Sequence, residues 1–158
     1  MEVLDDAVQL LGRAELQRWL SVQLISVPQS RQVARALEES ALVRSRVLEA
    51  IAWRRQEPNP GAHFTLGVLS LTEPLLQVPV ADAVGPLRLG EEVTAALLRR
   101  EGPWAARLAL LDALDEGSSG RAGELAEMLG VPGDALAEIV DDSWGWLNRS
   151  AGACGYQP

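Results

Sequence analysis

Histidine and cysteine are nearly missing from this sequence: 158 residues hold one of each, His63 and Cys154. Hydrolytic metal centres combine two or more histidines with carboxylates, which fix the ion and leave a position for water. One imidazole does not build such a site, so no metal, no cofactor and no catalytic residue is expected. Cys154 has no mate, which excludes an internal disulfide and fits a reducing cytoplasm. Lysine is absent, and all 14 basic residues are arginines scattered along the chain, which reads as a coding bias. Uncharged apolar runs long enough to span a bilayer are absent too. The acidic opening, Glu2, Asp5 and Asp6, is not that of a signal peptide. There is no Gly-rich phosphate loop and no G-x-S-x-G turn.

What is present favours helix. Hydrophobic residues make up 47% of the chain, enough for a core. Ala, Leu, Glu and Arg dominate, while Phe, Tyr and Ile are scarce. The net charge of −8 repels nucleic acid and anionic membrane, so neither is an expected partner. The length suits one domain with a short appendage: a helical domain over residues 1–149 and a flexible tail over 150–158.

Periodicity and breakers place the elements. Helices are expected over 3–12 and 13–26, stopped by Pro28. The longest should run from Ser30 to about Arg55. Its apolar residues Val33, Leu37, Ala41, Leu48 and Ile51 share one side with a slip near Arg44, and Arg35 and Glu39 pair on the wet side. Residues 57–62, EPNPGA, read as a loop. The apolar stretch 64–80 reads as a buried helix that Pro74 kinks or restarts. A one-turn helix should start at Pro79, and another should cover 89–102 with acids first, arginines last and Gly102 as its cap. Pro103 opens the next helix. GSSG, residues 117–120, is a turn, and helices over 121–129 and 133–147 close the chain.

Each candidate site has a plain structural reading. His63 stands at a loop-to-helix boundary, where a surface or capping role is expected. The acidic pairs Asp5–Asp6, Glu38–Glu39, Glu91–Glu92, Asp115–Glu116 and Asp141–Asp142 read as surface charge. Residues 123–140 have the cadence of a helix-turn-helix. Its second helix offers Asp134, Glu138, Asp141 and Asp142 where a DNA reader needs donors, so a structural hairpin is the better reading. Of the five tryptophans, Trp53, beside Arg54 and Arg55, and Trp146, beside Trp144, read as partly exposed, and Trp53 is taken as the interface anchor.

Taken in order, several segments resemble a known family. DDAVQLLGRAELQRWL (5–20) resembles the middle of the HDOD domain, the HD-related output domain of bacterial signalling proteins. ALVRSRVLEAIA (41–52) resembles its next long helix, with Arg44, Arg46 and Glu49 at the family's characteristic places. Residues 64–84 and 87–117 resemble the C-terminal part of the version fused behind cyclic-di-GMP phosphodiesterase (EAL) domains. The family's early helices and an EAL domain are absent, as from an N-terminally truncated chain. The acidic–aromatic pair near the turn after Gly117 is replaced by Ser118 and Ser119. The resemblance implies an all-α, irregular, HD-domain-like bundle of about eight or nine helices. It also implies a non-catalytic regulatory module acting through protein–protein contact, linked to cyclic-di-GMP signalling. Arg44, Arg46, Glu49 and Trp53 are then the candidate interaction residues, unless the first three form ion pairs that fix helix packing. A degenerate HD-type phosphohydrolase or nucleotide-binding domain is the alternative, and a helix-turn-helix regulator the third reading. Self-association is expected through residues 3–27.

Overall fold

The structure, a computed structural model, describes residues 30–153 except Arg88. Among the described residues there are eight α-helices and no strand. They are α1 (Arg31–Arg54), α2 (Pro60–Leu69), α3 (Thr72–Leu76), α4 (Val80–Val84), α5 (Glu91–Arg99), α6 (Ala105–Asp115), α7 (Ser119–Met128) and α8 (Gly133–Ala153). A 3₁₀ turn, Gly85–Leu87, follows α4. The expected helices at 3–12 and 13–26, and the self-association placed on 3–27, lie outside the described residues, as does Cys154.

Helix α1 starts where its cap requires. The Ser30 hydroxyl accepts a hydrogen bond from the Val33 N–H, satisfying one of the donors a helix start leaves open. The apolar side of α1 is buried from Ala41 onward, whereas Val33 is exposed. The slip near Arg44 has a physical cause. Arg44 occupies the buried seam between Ala41 and Leu48, so a charged residue stands where the pattern calls for an apolar one. Arg35 and Glu39 pair at 3.0 Å on the outer side, as their spacing predicts.

Helix α2 begins earlier than expected, inside the EPNPGA segment. Asn59 adopts a left-handed conformation, φ 54°, and its side chain accepts from the Ala62 N–H. Pro60 then takes the first helical position, where its missing N–H costs nothing. The apolar stretch is helical, and it breaks at Ser70–Leu71. Pro74 falls in the first turn of α3, so the chain restarts there.

Helix α1 packs most extensively on α2, and α8 lies against α1. The crossing of α1 with α2 is close: a Cβ built on Gly67 would meet Ser45 Cα at 2.4 Å. The main core gathers Val47, Leu48 and Ile51 of α1, Leu66 and Leu69 of α2, and Leu108 and Leu111 of α6. A smaller core unites Ala41, Phe64, Val68, Leu75 and Leu76.

Several boundaries differ from the sequence pattern. Helix α5 ends at Arg99, and Arg100 takes the left-handed cap, φ 56°, ahead of Gly102. Helix α6 starts at Ala105, after Pro103. The GSSG segment supplies the first residues of α7 as well as the turn. Helix α8 continues past Leu147 to Ala153, into the segment expected to fray.

Candidate functional site

The four residues singled out from the sequence do not converge. Arg44 is almost wholly buried and points toward α6. Its Nε donates to Ser70 Oγ at 3.1 Å, its Nη2 to Asp112 Oδ1 at 3.0 Å, and its Nη1 to Asp115. Arg44 thus joins α1 to α6 and to the C-terminal end of α2. Asp115, expected as plain surface charge, is one of its anchors. Asp112 also receives Arg100 Nη2 at 3.2 Å.

Arg46 and Glu49 pair with each other at 2.6 Å across one turn of α1. The Glu49 side chain is buried, and the Arg46 guanidinium lies 5.7 Å from the centre of the Trp146 ring. Trp146 in turn meets Phe64 edge-on at 6.4 Å. Trp53 follows Arg46 and Glu49 along the same stripe of α1, by seven and four residues. It is 64% exposed, among the most accessible large apolar side chains described.

A second cluster was not foreseen. It forms where the end of α1, the following loop, the start of α2 and the start of α6 meet. At its centre is Glu57. Arg107 Nη2 donates to both Glu57 oxygens at 2.9 Å, Arg55 Nη1 pairs with Oε1 at 2.8 Å, and His63 Nε2 with Oε2 at 3.0 Å. Arg107 Nη1 also donates to the Pro103 carbonyl at 3.1 Å. The Arg107 guanidinium lies 4.9 Å from the Trp104 ring centre, and the His63 ring 4.7 Å from it.

His63 is therefore not a surface histidine: it is 2% exposed. The early start of α2 explains the correction. With Pro60 as the first helical residue, His63 falls within the opening turn and faces Glu57 and Trp104. Burial pushes the imidazole down to about 4, assisted by the Arg107 guanidinium and opposed by Glu57. At neutral pH the ring is uncharged. Its Nε2–H donates to Glu57, and Nδ1 keeps a lone pair with no hydrogen-bond partner. Arg107 Nε is likewise enclosed and without a partner.

Beside this cluster lies a cavity of about 390 Å³, within the range of roughly 300–1,000 Å³ usual for small-molecule sites. Arg55, Glu57, His63, Trp104 and Arg107 line it, with Pro58, Ala62 and Pro103 as apolar wall and Glu92 among the lining residues. Nothing local in the sequence marks this site. Glu57 and Arg107 lie fifty positions apart and meet only through the fold. The one available signal was the uniqueness of His63.

The described residues hold no group of three or more His, Cys, Asp or Glu side chains able to bind a metal ion. None of the described helices is long and apolar enough to cross a membrane. The 123–140 segment is a hairpin of α7 and α8, and Asp134, Glu138, Asp141 and Asp142 lie exposed on the second helix.

The fold and site define an all-helical bundle with two arginine–carboxylate networks, one bridging α1 to α6 and one beside a cavity. The chain is 27% identical over 132 residues to the protein named "Uncharacterized protein YuxH" of Bacillus subtilis (strain 168). That match covers 82% of this chain and 32% of the Bacillus protein, so the chain spans about a third of that relative's length. No family model matches the chain. No solved structure matches it.

Proposed function

We propose that this chain is a regulatory output module of bacterial signal transduction. It is non-catalytic, works in the cytoplasm through a protein partner or another copy of itself, and belongs to the HDOD group linked with cyclic-di-GMP signalling. One observation carries the reading: the surface offers large apolar anchors while the characteristic polar residues are engaged internally. Arg44 is held by Ser70, Asp112 and Asp115, and Arg46 by Glu49. Trp53 stands in solvent at the end of the same helix. An exposed tryptophan beside arginines is the kind of side chain that supplies most of the energy of a protein interface. The match to about a third of a longer relative suits a module.

The test is site-specific. A photo-crosslinking residue is placed at Trp53, and as a control at exposed Glu138, in the source cell. A defined protein adduct at position 53 and none at 138 is expected. Equal labelling at both positions removes Trp53 as an anchor. Hydrolysis of cyclic-di-GMP by the purified chain with Mg²⁺ or Mn²⁺ overturns the non-catalytic assignment.

A further inference from the structure

We propose that the cavity beside His63 binds a small organic monoanion, a carboxylate on an apolar body, and that binding is coupled to proton uptake by His63. The site stands apart from the regulatory reading, since its ligand does not depend on the chain's partner.

Charge is the first ground. In a chain of net charge −8, this cluster sets two guanidiniums, Arg55 and Arg107, on a single carboxylate, Glu57. Arg107 is committed through both terminal nitrogens to Glu57 and Pro103. Arg55 reaches Glu57 through Nη1, and its side chain stays 35% exposed at the cavity, with N–H donors left for an incoming acceptor. Arg55, Glu57 and Arg107 by themselves carry one net positive charge, and Glu92 is the other carboxylate of the lining.

The walls narrow the class. Trp104, Pro58, Pro103 and Ala62 suit an apolar body rather than a bare inorganic ion. Glu92, also in the lining, repels a second negative charge, which favours a monocarboxylate over a phosphate dianion.

His63 supplies the coupling. Its Nε2–H already donates to Glu57, and Nδ1 has no partner. The ring can take a second proton at Nδ1 without losing the Glu57 bond. His63 also lines the cavity, so an anion held there stands beside the ring and its charge favours that second proton without touching the enclosed Nδ1. An anion beside an imidazole favours its protonated form, typically by about 1–3 units. By linkage, protonation tightens the anion by the same factor.

The single histidine makes the experiment direct, because its ring resonances need no assignment by mutation. The full chain is titrated with benzoate, with neutral benzamide and with inorganic phosphate, and the His63 ring is followed by NMR between pH 7.5 and 5. Benzoate is expected to shift the ring signals and to bring the midpoint, which lies below this range in the free chain, up into it. A rise of two units corresponds to roughly tenfold tighter binding at pH 5 than at pH 7. Arg55→Gln, at a partly exposed position where Arg107 still holds Glu57, should weaken benzoate about tenfold and leave the melt cooperative. His63→Gln should retain binding and lose its pH dependence. Benzoate that leaves the ring unmoved in folded protein overturns the proposal. So does benzamide or phosphate binding as tightly as benzoate, or an affinity independent of pH in the unaltered chain.

Discussion

Gly67→Ala should destabilise this protein, although the same exchange inside most helices stabilises. Gly67 sits within α2, where alanine's better helix propensity is worth about 1 kcal/mol. Against this stands the crossing with α1. The added Cβ would lie 2.4 Å from Ser45 Cα, 2.6 Å from Ser45 N and 2.8 Å from Ser45 Oγ. Ordinary carbon–carbon contact needs roughly 3.5–4.0 Å. The two helices must therefore part by about 1 Å at their closest point, and that separation loosens the core they share. Overpacking of this kind costs roughly 1–3 kcal/mol and occasionally more. The 2.4 Å approach to backbone puts the cost at the upper end of that range, so the net loss should reach about 2 kcal/mol, or roughly 4–8 °C in Tm for a chain of this size.

The control is Gly123→Ala in α7. Apart from its own helical turn, nothing lies within 4 Å of the Cβ built there. Only propensity acts, so stability should rise by up to about 1 kcal/mol. Both variants are read by urea and thermal unfolding followed by circular dichroism. Adding Ser45→Gly to Gly67→Ala should not restore stability, since two of the three nearest atoms are backbone. A Gly67→Ala variant as stable as the parent would refute the close crossing, and rescue by Ser45→Gly would place the clash on the hydroxyl instead.

The arginine networks and the buried histidine give the other predictions. Arg44→Ala should cost about 2 kcal/mol in urea unfolding, below the roughly 3–5 kcal/mol of a stranded buried charge, because Asp112 and Asp115 retain access to water. Arg44→Met keeps the apolar stem and should recover much of that loss. Glu57→Gln leaves Arg55 and Arg107 facing each other without a counter-charge, and should cost about 3 kcal/mol with the midpoint, not the slope, of the urea curve shifted. His63 is held near 4 in the folded chain against about 6.5 unfolded, so the unfolded state binds more protons between those values. Stability should thus fall as the pH drops from about 6.5 toward 4, by at most on the order of 3 kcal/mol, and His63→Gln should flatten that slope between pH 7 and 5.

Much of the fold was legible because helix signals are local. Ser30 as a cap, the Arg35–Glu39 spacing, the acids and arginines of α5 and the restart around Pro74 depend on neighbours within a few residues. Boundaries failed where a non-glycine residue took the left-handed conformation, which asparagine tolerates and arginine rarely adopts. Asn59 and Arg100 take left-handed backbones, which began α2 inside an apparent loop and ended α5 before its glycine. In the residue pattern Arg44 showed as an interruption of the α1 stripe, and the family resemblance marked it as an interaction residue or a packing ion pair, without naming its partners. Its partners on α6 lie some seventy residues away, beyond the reach of any pattern.

The same contrast explains why the candidate site was missed. A histidine followed by an apolar run, after two prolines, looks like a loop end and nothing more. Its meaning changes once Pro60 becomes the first residue of a helix, because the opening turn then carries the imidazole to Glu57. Glu57 holds groups from the end of α1, the start of α2 and the start of α6, so it ties together three elements that the main core joins elsewhere. Arg44 ties α1 to α6 a second time, farther along. An apolar core alone would set the spacing of these helices. Two directional networks at separate points also fix their rotation and slide. Fixing α6 in this way holds Trp104 against His63 and keeps the cavity wall in place. His63 Nδ1 and Arg107 Nε are enclosed within this arrangement without a hydrogen-bond partner, so it keeps two polar atoms that packing alone does not satisfy.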